Sequence, residues 1–264
     1  MRVIVTRPLR EAQGWVRDLR AAGLDAVALP LIEIRPVDDP APLQRAWQQL
    51  ANHVGVMFVS ANAVDGFFAC KPSSSLSFGS QGAIKTRSWA TGPGTAAALR
   101  QAGVAAQCID APSADAAQFD SEALWQRVGA TLRPGQRVLI VRGGDGQNDS
   151  AAQGAGRDWF AKQVVDAGAA VDFVVSYRRV RPHLDAAQLQ LAKEAAGDGS
   201  VWLFSSSEAL AHLQMSLPQQ DWRAARTVAT HARIAAAARQ AGFGVVCESR
   251  PALADIIGSI ESMP

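Results

Sequence analysis

Cysteine is scarce in this chain of 264 residues: the three present, Cys70, Cys108 and Cys247, are odd in number and none stands in a C-x-x-C spacing. That argues against a disulfide framework and against a thiolate zinc site. The four histidines, His53, His183, His212 and His231, are scattered and form no H-E-x-x-H, so a metal enzyme has no ligand set to start from. Charged residues make only 19% of the chain and the net charge is +2, too mild for a nucleic-acid binder. No apolar run exceeds strand length, which leaves no membrane span. Met1 to Arg7 has none of the layout of a signal peptide, and a soluble cytoplasmic protein is expected. Lysine is also rare, 4 against 22 arginines, a bias that codon usage explains as readily as carboxylate recognition does. No serine lies in G-x-S-x-G, so acyl-enzyme chemistry has no support.

What is present is apolar and ordered. Hydrophobic residues make 48%, and the length suggests two compact domains. Short β-rich runs alternate with Ala/Leu-rich stretches throughout, the pattern of α/β units with parallel sheets. Val3 to Val5 reads as a strand, Glu11 to Ala22 as a helix stopped by Gly23, and Asp25 to Leu29 as a strand. The same order recurs in Val138 to Val141, Trp159 to Ala167, Gly168, and Val171 to Val175.

The recurrence is an internal duplication. Arg7 pairs with Arg142 at an offset of 135, Gly23 with Gly168 at 145, and Ser60-Ala61-Asn62 with Ser205-Ser206-Ser207 at 145. Arg100-Gln101-Ala102-Gly103 pairs with Arg239-Gln240-Ala241-Gly242 at 139, and Cys108 with Cys247 at the same offset. The offset changes where Gly/Ser-rich stretches, Pro72 to Gly82 and Gly144 to Gly156, read as loop insertions. Two halves of five strands each follow. Leu31 to Pro36 and Tyr177 to Pro182 read as extended crossings between domains, and a plain tandem cut near residue 130 stays open beside a swapped one.

Several turns carry candidate chemistry. Gly92-Pro93-Gly94-Thr95-Ala96-Ala97 follows a strand and opens a helix, and Asp110 ends the next strand, the parts of a dinucleotide fingerprint. Pro93, and the lack of glycines in the equivalent Thr230-His231-Ala232-Arg233, favour instead a tight turn whose N–H groups face an anion. Ser60 to Asn62 and Ser205 to Ser207 stand between a buried strand and a helix. There they serve as caps, and the carboxyl ends of strands are also where open α/β sheets bind ligands. Tyr177, the sole tyrosine, opens a basic extended segment and is either a packing residue or a phenol donor beside arginines.

In order, Val5-Thr6-Arg7-Pro8, Phe58 to Val64, Gly92 to Ala96, Val141-Arg142-Gly143, Ser176-Tyr177-Arg178-Arg179 and Phe204 to Glu208 resemble uroporphyrinogen-III synthase, from about residue 3 to 260. The resemblance implies two α/β domains, each a parallel five-stranded sheet flanked by helices, joined by a two-stranded connector. It favours the swapped cut, 1–35 with 183–264 and 36–182. It implies cyclisation of linear hydroxymethylbilane to uroporphyrinogen III, with inversion of ring D and loss of water, in a cleft between the domains, with no metal and no organic cofactor. Tyr177 matches the family's proton donor. Arg7, Ser60, Ala61, Asn62, Gly92, Thr95, Arg142, Gly143, Ser205, Ser206, Ser207, His231 and Arg233 are the implied substrate-binding positions, His231 and Arg233 replacing the family's more usual Gly-Pro-x-Thr turn. A monomer that takes its substrate from the preceding pathway enzyme is expected, with no nucleic acid and no membrane partner. Two rival readings are a non-catalytic two-domain polyanion-binding module and a nucleotide-dependent α/β enzyme using Gly92 to Ala97.

Overall fold

The computed structural model of the protein describes residues 1–72, 85–113, 120–145 and 158–263. Both insertions read from the sequence, 72–82 and 144–156, fall almost wholly outside the described residues. The first half of the chain forms β1 (Arg2–Val5), α1 (Leu9–Ala21), β2 (Asp25–Ala28), β3 (Glu33–Arg35), α2 (Ala41–Gln48), β4 (Gly55–Phe58), α3 (Ala61–Ala69), β5 (Arg87–Ala90), α4 (Pro93–Gln101), β6 (Ile109–Asp110) and α5 (Ser121–Val128). The second half forms β7 (Arg137–Asp145), α6 (Asp158–Asp166), β8 (Ala170–Val180), α7 (Ala186–Glu194), β9 (Val201–Phe204), α8 (Ser207–Ser216), β10 (Arg226–Ala229), α9 (Ala232–Gln240), β11 (Val245–Glu248) and α10 (Leu253–Glu261).

The chain divides into two compact units, Met1–Glu33 with Val180–Pro264, and Ile34–Arg179. The first unit holds a five-stranded sheet of order β2-β1-β9-β10-β11, parallel throughout. The second holds β3-β8-β7-β4-β5-β6, parallel from β8 to β6, so its sheet has β3 as a sixth, edge strand where five were expected. The repeat offsets pair β1 with β7, β2 with β8, β9 with β4, β10 with β5 and β11 with β6. Under that pairing the two sheets have the same strand order, and each takes two strands from one half of the chain and three from the other. Both chain crossings between the units fall inside strands, β3 and β8, which are hydrogen-bonded neighbours.

Central strands covered by helices on both faces must be apolar on both faces. Accordingly β4 (Gly-Val-Met-Phe) and β9 (Val-Trp-Leu-Phe) are buried along their whole length. Helix α1 turns Ala12, Val16 and Leu19, spaced four and three apart, into the first unit's core. The helices that the sequence ends at Gly23 and Gly168 do end there, and α4 and α9 end in the same way at Gly103 and Gly242: all four glycines take φ between +79° and +92°, the left-handed conformation that lacks a Cβ penalty only for glycine.

One irregularity matters for the site. Along β7 and β8 the register is even up to Arg142, which pairs with Val175, and then steps by one, so that Gly143 pairs with Tyr177 and Ser176 is unmatched. An unmatched residue reverses which face the following side chains point to. Phe173 packs on the cluster around Trp89, whereas Tyr177, four residues on, joins the opposite cluster of Phe58, Phe67 and Val174.

Candidate active site

The helices that follow β4, β5, β9 and β10 all start at the carboxyl ends of those strands. Their caps are the residues the sequence singled out. Ser60 caps α3, its Oγ accepting the Ala63 N–H at 3.1 Å. Ser206 caps α8 by accepting the Glu208 N–H at 3.2 Å, with Ser205 before it and Ser207 opening the helix. His231 caps α9 through Nδ1, which accepts the Arg233 N–H at 3.1 Å. Gly92 caps α4 without a side chain, in extended conformation ahead of Pro93. Each start leaves backbone N–H groups and partial positive charge at a sheet's carboxyl edge, where an anion is stabilised.

Within the second unit the structure brings three predicted residues together. The Tyr177 hydroxyl lies 3.2 Å from Ser60 Oγ. Gly143 faces the phenol so closely that an added Cβ would come within 2.8 Å of Oη and nearer still to the ring. Tyr177 is only 6% exposed, while Ser60, Ala61 and Asn62 are half-buried. Of this group Tyr177 borders a cavity of about 390 Å³, lined also by Ile34, Val37, Asn62, Cys70 and Ser176.

Two residues that hold this arrangement escaped the sequence reading as site residues. Ser176 is buried and its Oγ donates to the Ala63 carbonyl at 3.0 Å, tying the bulge of β8 to the first turn of α3. Gly66 lets α3 lie directly on β8, because a Cβ there would overlap the Ser176 backbone carbonyl. The lone glycine inside a helix rich in Ala and Phe is the signal by which the sequence could have shown it.

The remaining predicted positions are distributed. Thr95 is buried in the first turn of α4, 6% exposed. Arg142 is 3% exposed with its guanidinium 4.8 Å from the centre of the Phe173 ring. Its repeat partner Arg7, in the first unit, is stacked in the same manner on Trp15 at 4.7 Å and lies 3.6 Å from Glu11. Burial pulls the Arg7 guanidinium below its ordinary pKa, and the Glu11 carboxylate opposes that pull. His231 and Arg233 are exposed, so both are open to a charged partner.

The dinucleotide reading loses its key acid here. Asp110 is held by a two-pronged contact from Arg87, Nε to one oxygen and Nη2 to the other, the latter at 2.7 Å, and that hydrogen bond raises the Arg87 pKa. A carboxylate so engaged does not face a ribose. Among the described residues no group of three or more His, Cys, Asp or Glu converges as a metal site, and no helix is long and apolar enough to cross a membrane.

Comparison with known proteins decides the family. A profile described as Uroporphyrinogen-III synthase HemD matches residues 13–258, a stretch that includes parts of both units. The chain belongs to the uroporphyrinogen-III synthase family. A curated member of that family, the uroporphyrinogen-III synthase of Chlorobaculum parvum (strain DSM 263 / NCIMB 8327), is 32% identical over 143 residues, 53% of this chain and 52% of that protein. The chain thus spans about half the length of the curated relative it matches. The fold agrees with solved family structures. Uroporphyrinogen-III synthetase from Helicobacter pylori 26695 is similar with a TM-score of 0.59 at 15% identity, covering 100% of both chains. A mutant uroporphyrinogen III synthase from the extremely thermophilic bacterium Thermus thermophilus gives 0.50 at 15% identity, covering 99% of this chain and 97% of that one.

Proposed function

We propose that this protein cyclises linear hydroxymethylbilane to uroporphyrinogen III, with loss of water and inversion of ring D. The observation that carries the reading is membership of the family over residues 13–258. The chemistry of the described residues suits it. The substrate is a flexible polycarboxylate, and helix starts at the carboxyl edges of both sheets offer N–H groups to its carboxylates. Arg7, Ser205, Ser206, Ser207, His231 and Arg233 in the first unit, and Ser60, Ala61, Asn62, Gly92, Thr95, Arg142 and Gly143 in the second, are the proposed substrate positions.

Departure of the hydroxymethyl oxygen as water needs a proton. Tyr177 supplies it in this reading. Proton donation of this kind contributes about 10²–10⁴-fold, whereas holding the chain bent for attack at the right carbon is worth up to about 7–11 kcal/mol. Tyr177→Phe is therefore expected to slow turnover without abolishing it. The reading further holds that the protein works as a cytoplasmic monomer without metal or organic cofactor, receiving the bilane from the enzyme that makes it. Incubating the protein with hydroxymethylbilane and separating the ring isomers tests the proposal: the type III isomer is expected, and type I alone, the product of unassisted closure, contradicts it.

A further inference from the structure

We infer that Ser60, rather than the phenol itself, is the group that passes the proton to the departing hydroxyl, with Tyr177 acting through it; this rests on the cyclisation reading above. The two hydroxyl oxygens are 3.2 Å apart, and Tyr177 is the more buried of the two residues. A serine hydroxyl has one proton and two lone pairs. One lone pair of Ser60 Oγ accepts the Ala63 N–H at 3.1 Å. When the Tyr177 O–H occupies the other, the proton of Ser60 is the only one in the pair left to point outward. The opposite polarity would leave the outgoing proton on a phenol that is packed over Gly143 and against the cluster of Phe58 and Phe67.

The step balances within substrate and pair. The C–O bond of the hydroxymethyl group breaks with its electron pair on oxygen, which takes the Ser60 proton and leaves as water. Ser60 takes the phenolic proton as its own departs, leaving a transient phenolate. The pyrrole carbon that closes the macrocycle later loses one proton as aromaticity returns, and that proton passes back through Ser60 to the phenolate. No outside acid is consumed. Three features keep the pair in register: Gly143 leaves room for the phenol, the unmatched Ser176 turns Tyr177 to the α3 face, and Gly66 seats α3 against β8. These are positioning residues.

The test compares wild type, Ser60→Ala, Ser60→Gly, Ser60→Thr, Tyr177→Phe and the Ser60→Ala/Tyr177→Phe double variant of the full chain on hydroxymethylbilane, reading kcat and KM for the type III isomer and the melting temperature of each. Ser60→Gly removes the hydroxyl while remaining a tolerated cap, so the comparison survives if Ser60→Ala folds poorly. Loss of the hydroxyl is expected to lower kcat by about 10²-fold with KM unchanged, as removal of a proton-transfer group does. Tyr177→Phe is expected to lower kcat by no more than that, the double variant to be no slower than Ser60→Ala, and Ser60→Thr to recover most of the rate. A rise in KM with kcat kept, or losses that multiply in the double variant, overturns the relay while the cyclisation reading stands. A wild type that makes no type III isomer overturns that reading and the relay with it.

Discussion

Val174 and Tyr177 are three residues apart on one strand, yet both face the same core cluster. Strict alternation would put them on opposite faces. The unmatched Ser176 between them resolves the parity, and its buried hydroxyl is fastened to the Ala63 carbonyl. Ser176→Ala is expected to lower stability by about 1 kcal/mol, the usual net worth of one such bond. Urea unfolding measures it, and an unchanged midpoint would show that the bulge stands without this tie.

Two glycines in helices should respond to alanine in opposite directions. Gly66→Ala drives a methyl into the Ser176 carbonyl and is expected to cost about 1–3 kcal/mol, the range for overpacking. Gly94→Ala meets open space in the first turn of α4 and is expected to gain up to about 1 kcal/mol from reduced freedom of the unfolded chain. Equal effects would contradict the close seating of α3 on β8.

Two buried hydroxyls flank the start of β5. Thr86 Oγ1 lies 2.8 Å from the carbonyl oxygens of both Leu50 and His53 and shares its one proton between them, whereas Ser88 Oγ is buried with no hydrogen-bond partner among the described residues. Thr86→Val is expected to destabilise by about 1 kcal/mol, and Ser88→Ala to be neutral or stabilising, since only the first change breaks a bond. Paired denaturation curves decide it.

Acid should loosen the second unit through Asp172. Burial pushes its carboxyl up, but hydrogen bonds from Arg137 and from His53, the latter at 2.8 Å, outweigh that and hold it below the ordinary 3.8. A depressed carboxyl contributes stability that is present above its unfolded pKa and lost as pH falls through the folded one. Between about pH 5 and pH 2 the wild type is therefore expected to lose more stability than Asp172→Asn, followed by urea midpoints across that range. Parallel losses would show that the Arg137–Asp172–His53 group contributes nothing at neutral pH.

Much of the scaffold was legible because it is written in local chemistry. The left-handed glycines after α1, α4, α6 and α9 mark helix ends, and each recurs at its repeat offset. The small-residue turns at Ser60 and Ser206 are helix caps by their own side chains. Other features depend on partners far away in sequence. Tyr177 and Ser60 are separated by 117 residues, and no periodicity announces their contact. The run Val171 to Val175 and the segment from Tyr177 read as two elements because the polar Ser176 interrupts them. They form one strand, Ala170–Val180, since that serine is buried against α3. The turn at Gly92 imitated a nucleotide fingerprint because glycines at a strand-to-helix turn look alike whether or not a pyrophosphate sits there, and only the Arg87 contact to Asp110 separates the cases.

Hydroxymethylbilane closes by itself, so the decisive quantity is which ring forms. Following the bilane with and without the purified protein, under conditions where unassisted closure is slow, and resolving the isomers by chromatography, addresses the central claim directly. The account predicts rapid conversion to the ring with the inverted D pyrrole, in proportion to protein added. A product that stays type I, formed no faster than in buffer, contradicts it.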